Sequence, residues 1–124
     1  MRLLIDSHAF VWWRAGSAIL SRAAHNAIAD PANEVLISIA GLWELTIKEA
    51  SGKLTLSDDL ETMVREEGFS VLSINFAHLR RLGALPRVHK NPFDRMMIAQ
   101  SLAEGIPIAT GDRVFAAYGV QIIW

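Results

Sequence analysis

The chain has 124 residues, and 12 Lys+Arg against 13 Asp+Glu give it a formal charge of −1. With 52% hydrophobic and 20% charged residues it is rich enough to bury one core and too apolar for a disordered chain, so a single domain over 1–124 is expected. The near balance of charge argues against a protein that holds nucleic acid by bulk electrostatics, and the lack of cysteine excludes disulfides, thiolate metal sites and Cys nucleophiles.

Leu3-Leu4-Ile5 reads as a first strand running into Asp6. It follows Met1-Arg2 directly, which leads us to expect no signal peptide and a cytoplasmic location. Ser21 opens a helix over 22–30 before Pro31, and Val35-Leu36-Ile37 is a second strand. Ser38 opens a helix from Ile39 to about Ala50, stopped by Ser51-Gly52. Ser57 opens another over 58–67, with acids in its first turn and Gly68 beyond its end. Residues 69–72 form a third strand, Asn75 opens a helix over 76–82, and 82–91 is the longest loop. Asn91-Pro92 opens a helix from Phe93 to about Glu104, closed by Gly105. Strands at 106–109 and 120–123 complete the chain.

These strands mostly lack polar alternation, as strands buried on both faces do. Their alternation with helices predicts an α/β domain with a mainly parallel central sheet of about five short strands flanked by helices. The longest stretch free of Asp, Glu, Lys and Arg is Gly68 to Leu79, well short of the roughly 20 residues a membrane span needs.

Ligands of open parallel sheets bind beyond the carboxyl ends of the strands, so the acids near that edge are the candidates. Asp6 follows the first strand, and Asp112 follows Ile108-Ala109 through Thr110-Gly111. Asp94 lies in the first turn of the helix opened by Asn91-Pro92. Glu44 lies one to two turns into the helix from Ser38, on a face shared with Ala40, Gly41 and Lys48. Singly, each has an ordinary explanation: a first-turn acid, a turn residue or helix N-cap, a solvated helix residue. Together, carboxylates about 5 Å apart at an effective dielectric near 20 repel by about 3 kcal/mol per pair, so a cation is expected among them. Oxygen ligands without Cys or a His-rich motif suit Mg²⁺ or Mn²⁺ better than zinc. Displacement at phosphorus is the chemistry such sites favour.

The same residues resemble the PIN domain and, within it, the VapC ribonuclease toxins of bacterial toxin–antitoxin modules. Leu3 to Trp13, with Asp6 and Ser7, is similar to the family's opening strand and first acid. Ser38 through Trp43-Glu44-Leu45 to Lys48 resembles its second motif, and His89-Lys90-Asn91-Pro92-Phe93-Asp94-Arg95 through Gln100 its third. Thr110-Gly111-Asp112, with Phe115 and Tyr118-Gly119-Val120, resembles the fourth. The resemblance spans essentially the whole chain and implies metal-binding, catalytic acids at Asp6, Glu44, Asp94 and Asp112. Where a recurrent form of the third motif has a further Asp, this chain has Asn91, which bears on how firmly a second metal ion is held. Ser7, Thr110 and Arg95 stand where they would orient a carboxylate, a water or a phosphate.

The resemblance further implies an endoribonuclease using one or two Mg²⁺ or Mn²⁺ ions, in which activated water attacks the phosphodiester in line and the 3′ oxygen leaves. It also implies a cognate VapB-like antitoxin and a homodimer. The basic run Arg80, Arg81, Arg87 and Lys90, leading to Arg95, would guide an RNA backbone to the third motif or else form a solvated face. His8, His78 and His89 are candidates for RNA contact, and Trp12, Trp13 and Trp43 for base stacking or packing. A phosphoacceptor receiver domain is disfavoured, because no lysine follows Lys90. The alternative retained is a PIN-like module that binds RNA or protein without cutting.

Overall fold

The computed structural model describes residues 1–124. Strands β1 (Arg2–Ile5), β2 (Glu34–Ser38), β3 (Ser70–Leu72), β4 (Ile108–Ala109) and β5 (Ile122–Ile123) form one sheet in the order β3-β2-β1-β4-β5. Every pairing is parallel. Around it lie α1 (Ser7–Ala15), α2 (Arg22–Ala29), α3 (Ile39–Ala50), α4 (Leu60–Glu67), α5 (Phe76–Gly83), α6 (Pro92–Glu104) and a 3₁₀ helix at Arg113–Tyr118.

Most helix starts are set by the residues expected. The side chains of Ser21, Ser38, Asn75 and Asn91 each accept a backbone N–H of the following turn, satisfying donors that have no partner within the helix. The fourth helix departs from expectation by beginning at Leu60, because the Asp59 carboxylate, rather than Ser57, caps it by accepting from Thr62. Two helices were given no bounds in the sequence, although a helix N-cap was one reading of the acid that opens each. Asp6 caps α1, and Asp112 caps the 3₁₀ helix, so both acids close a strand and open a helix at once.

Alternate strand residues divide the core between the two faces of the sheet. Leu3, Ile5, Val35, Ile37 and Ala109 pack on one face with Phe10 of α1, Ala24 of α2 and Met63 of α4. Leu4, Leu36 and Ile108 pack on the other with Met97 and Ile98 of α6 and with Phe115. Burial on both faces holds for β1, β2 and β4 but not for β3 and β5. Those two are the edge strands, and Val71 of β3 is 45% exposed. Helix α6 carries an unbroken buried run from Met96 to Ser101, as a helix enclosed by its neighbours does. On α1, Trp13 Nε1 and Arg14 Nη1 donate to the two oxygens of Glu67 at 2.7 and 2.8 Å, tying α1 to α4. The 51–59 connection, between α3 and α4, is slightly longer than 84–91, between α5 and α6.

One glycine is required by a close approach. A Cβ on Gly111 would lie 2.9 Å from two ring carbons of Trp124, nearer than side chains tolerate. Gly111→Ala must displace the partly exposed terminal indole, at a cost of about 1 kcal/mol, the low end for overpacking. A lowered urea midpoint with an unchanged m-value is the expected result. A midpoint equal to the parent's would mean that the ring swings aside freely.

Candidate active site

From β1 the chain adds β2 and β3 on one side, then crosses over to add β4 and β5 on the other. Such a reversal opens a crevice at the carboxyl ends of the two strands that flank it, here β1 and β4. Ile5 pairs in register with Ile37 and Ala109, so the next residues, Asp6, Ser38 and Thr110, stand level along that edge. Asp6 and Glu44 are each 4% exposed, whereas Asp112 lies open to solvent. Asp94 is partly buried, with 14% of its side chain exposed. Helix α3 approaches closely because Gly41 faces Ser7 and Met97, a position where a Cβ would already touch both.

Each carboxylate has its own partners. Asp6 Oδ1 accepts the Ala9 N–H at 2.7 Å, and Asp112 Oδ1 accepts that of Val114 at 3.0 Å. The Ser7 hydroxyl donates to Glu44 Oε1 in a short bond, and Lys48 Nζ lies 3.6 Å from Oε2 of the same residue. Thr110 Oγ1 accepts the Asp112 N–H at 3.1 Å, leaving its own proton free to point elsewhere. His89 Nε2 lies 3.4 Å from Asp94 Oδ2.

The tautomer of His89 follows from the Tyr118 hydroxyl. That oxygen accepts from His89 N–H at 3.1 Å and from Arg95 Nη1 at 3.1 Å, so its single proton donates to His89 Nδ1, 2.7 Å away. The other ring nitrogen therefore carries the proton that faces Asp94.

Burial raises the pKa of Asp6 above the ordinary 3.8; the Thr110 hydroxyl, the Ala9 N–H and His8 offset part of this, and the charge of Glu44 adds to it. Asp94 is also raised, by burial first and then by the charge of Glu44, eased by the His89 hydrogen bond and increased again by Asp112. The four acids thus act on one another electrostatically. As they stand, no three Asp, Glu or His groups converge on one point that would hold a metal ion. The donor set itself fits a hard divalent cation: four carboxylates with two hydroxyls beside them and no sulfur. Adding Mg²⁺ or Mn²⁺ is therefore expected to raise the melting temperature. At about 100 times the dissociation constant the gain is about 2.7 kcal/mol. No shift in a thermal scan at millimolar metal would count against this donor set.

A model of the PIN domain matches residues 3–121. The chain belongs to the PIN domain family. No match was found among curated proteins. Among solved structures, this PIN domain is similar to VapBC2 from Rickettsia felis bound to a DNA fragment from their promoter, with a TM-score of 0.70 at 13% identity over 98% of this chain and 97% of that one. It is also similar to DNA-bound VapBC from Salmonella typhimurium, with a TM-score of 0.67 at 18% identity over 98% and 96%. A toxin–antitoxin complex from Klebsiella pneumoniae has a TM-score of 0.65 at 18% identity over the same shares. At these identities the likeness is one of fold.

Other residues of the PIN domain singled out in the sequence have varied positions. Asn91 caps α6, accepting the N–H groups of Phe93 and Asp94 at 3.0 Å each. Arg95 reaches no carboxylate; it donates to the Pro86 carbonyl at 2.8 Å and to Tyr118. Arg87, His89, Lys90 and Arg95 line a pocket of about 430 Å³. Arg80 and Arg81 lie apart from it, exposed in the last turn of α5, where cations suit the helix dipole. His78 is fully buried and paired with Glu104 at 3.0 Å, which holds the Glu104 carboxyl below its ordinary range. Trp13 is engaged with Glu67, while Trp43 is 58% exposed and edge-on to Phe93.

The sequence placed Tyr118 in the fourth motif without linking it to Asp94, because residues so far apart in the chain carry no spacing signal towards each other. Tyr118→Phe leaves the Arg95 and His89 donors without their acceptor and frees the ring that faces Asp94. A loss of about 1–3 kcal/mol in denaturant unfolding is expected. A change below about 0.5 kcal/mol would mean that water replaces the hydroxyl.

Proposed function

We propose that this PIN domain is a metal-dependent endoribonuclease, hydrolysing phosphodiester bonds in RNA as the toxin of a VapBC-like toxin–antitoxin module. The observation that carries this reading is the set of acids at the β1/β4 edge. Asp6 and Asp94 are partly desolvated and raised in pKa, and the charge of Glu44 presses on both. Negative charge facing phosphates weakens the hold of a pure RNA binder, so this edge suits a nuclease better than a non-catalytic module.

Asp6, Glu44, Asp94 and Asp112 would hold one or two Mg²⁺ or Mn²⁺ ions, which when bound neutralise charge on a scissile phosphate and activate water. The chain's own groups prepare that set. Ser7 and Lys48 fix the rotamer of Glu44, and Tyr118 through His89 does the same for Asp94. Arg87, Lys90 and Arg95 offer the RNA backbone a cationic pocket next to Asp94, with Arg80 and Arg81 extending the positive charge along α5. The similar structures are complexes with antitoxins, which supports a VapB-like partner here; a homodimer belongs to the same proposal.

The test is incubation of the antitoxin-free chain with a mixed RNA pool and Mg²⁺ or Mn²⁺, beside an EDTA control. Metal-dependent internal cleavage is the expected result. A folded, metal-loaded chain that leaves the whole pool intact would favour the non-cutting module.

A further inference from the structure

We infer that a second pocket, between α1, α3 and the loop after α3, receives one nucleotide of the RNA strand, its base against Trp12 and its phosphate on Lys53 and Lys48. This subsite rests on the ribonuclease reading and adds to it Trp12, Lys53 and a second contact for Lys48, which also pairs with Glu44.

The pocket has a volume of about 360 Å³, within the range of small-ligand sites. Its walls are apolar, formed by Val11, Trp12, Leu45 and Leu54, and its polar lining is wholly basic: His8, Lys48 and Lys53. No acid lines it. Lys53 is exposed and makes no ion pair, so its charge is available to a ligand. The pocket joins the carboxylate edge through a continuous set of contacts. Lys48 Nζ lies 3.6 Å from Glu44 Oε2 and 3.0 Å from His8 Nε2. Because an ammonium only donates, His8 Nε2 is the acceptor of that contact.

The aromatic wall is held in place. Trp12 packs against Trp124 at 5.8 Å between ring centres and against His8 at 5.9 Å. A ring held by two aromatic neighbours where it lines an open pocket offers a base a stacking surface. The contrast with the other pocket assigns the roles. Arg87, His89, Lys90 and Arg95 surround a space with one apolar residue, suited to backbone phosphate, whereas the Trp12 pocket combines an apolar wall with cations, as a base and its phosphate require.

The four tryptophans give four indole N–H signals, so ¹⁵N NMR titration with adenosine 5′-monophosphate, in the absence of metal, reads the site directly. The Trp12 and Trp124 signals should move while those of Trp13 and Trp43 stay, and inorganic phosphate alone should move them less. Lys53→Ala, at a surface position outside the core, should weaken the nucleotide about tenfold and raise KM for RNA several-fold at unchanged kcat. Trp12→Leu should abolish the shift at Trp124. Unmoved Trp12 and Trp124 signals at millimolar nucleotide, or an affinity indifferent to Lys53→Ala, would overturn the inference. Shifts without any RNA cleavage would leave the pocket standing and remove the nuclease reading, while cleavage without shifts would do the reverse.

Discussion

Asp94→Asn is expected to lower RNA cleavage on the order of 10²–10³-fold while leaving the fold as stable as the parent or more so. The two effects share one cause. Asp94 is charged in a partly buried place, near Glu44 and Asp112, and its pKa stands above the ordinary 3.8. Between 3.8 and the raised value the folded chain binds more protons than the unfolded one. Stability therefore falls as pH rises through that window, and the deficit persists at neutral pH. Asn removes the charge and with it the deficit. It also forfeits a first-turn acid worth about 0.3–1 kcal/mol to α6, which sets a limit on the gain. The Asn91 cap is untouched, because the donors it accepts are backbone N–H groups. Thermal scans of parent and variant should diverge at pH 7 and converge well below pH 3.8, where the carboxyl is neutral in folded and unfolded chains alike. Cleavage that survives the substitution would remove Asp94 from the catalytic set. A pH-independent loss of stability would mean that its role is structural.

Phe10→Ala is expected to cost about 3–5 kcal/mol, a large part of the 5–15 kcal/mol typical of a domain. Phe10 is fully buried in the core on the α1 face of the sheet and meets Phe69 edge-on at 6.1 Å between ring centres. Its loss leaves a cavity beneath the helix whose first turn is capped by Asp6, so the site loosens along with the core. Phe76→Ala is the control: that ring is 77% exposed, and a change within about 0.5 kcal/mol is expected. Urea midpoints of the two variants decide the matter. Similar values for both would mean that the Phe10 site collapses without a void.

The sequence was legible wherever local chemistry and burial agreed. Short apolar runs marked all five strands, and Ser21, Ser38, Asn75 and Asn91 marked helix starts because their side chains satisfy N–H groups that have no other partner. The likeness to the PIN domain rested on motifs carried by those same boundaries, and the match over residues 3–121 agrees with it. Helix α1 was given no bounds in the sequence, although a helix N-cap was one reading of Asp6, and its carboxylate does cap the helix. The strands at 106–109 and 120–123 shrank to two residues each, yet Leu4 N–H still donates to the Pro107 carbonyl and Ile108 N–H to that of Gln121. Pro107 carries no N–H of its own to extend the ladder.

By itself the sequence marked all five strands and the helices α2 to α6, predicted a parallel sheet covered by helices, and named candidate acids near its carboxyl edge. Each of these depends on neighbours within a few positions, through hydrophobic period, capping and turn chemistry. Only the tertiary structure decided the strand order that sets Asp6 level with Thr110, the pairing of Lys48 with His8, and the path from Tyr118 through His89 to Asp94. Those contacts join residues far apart in the chain, and side-chain pairing across such distances is fixed by packing geometry, which leaves no periodic trace in the sequence.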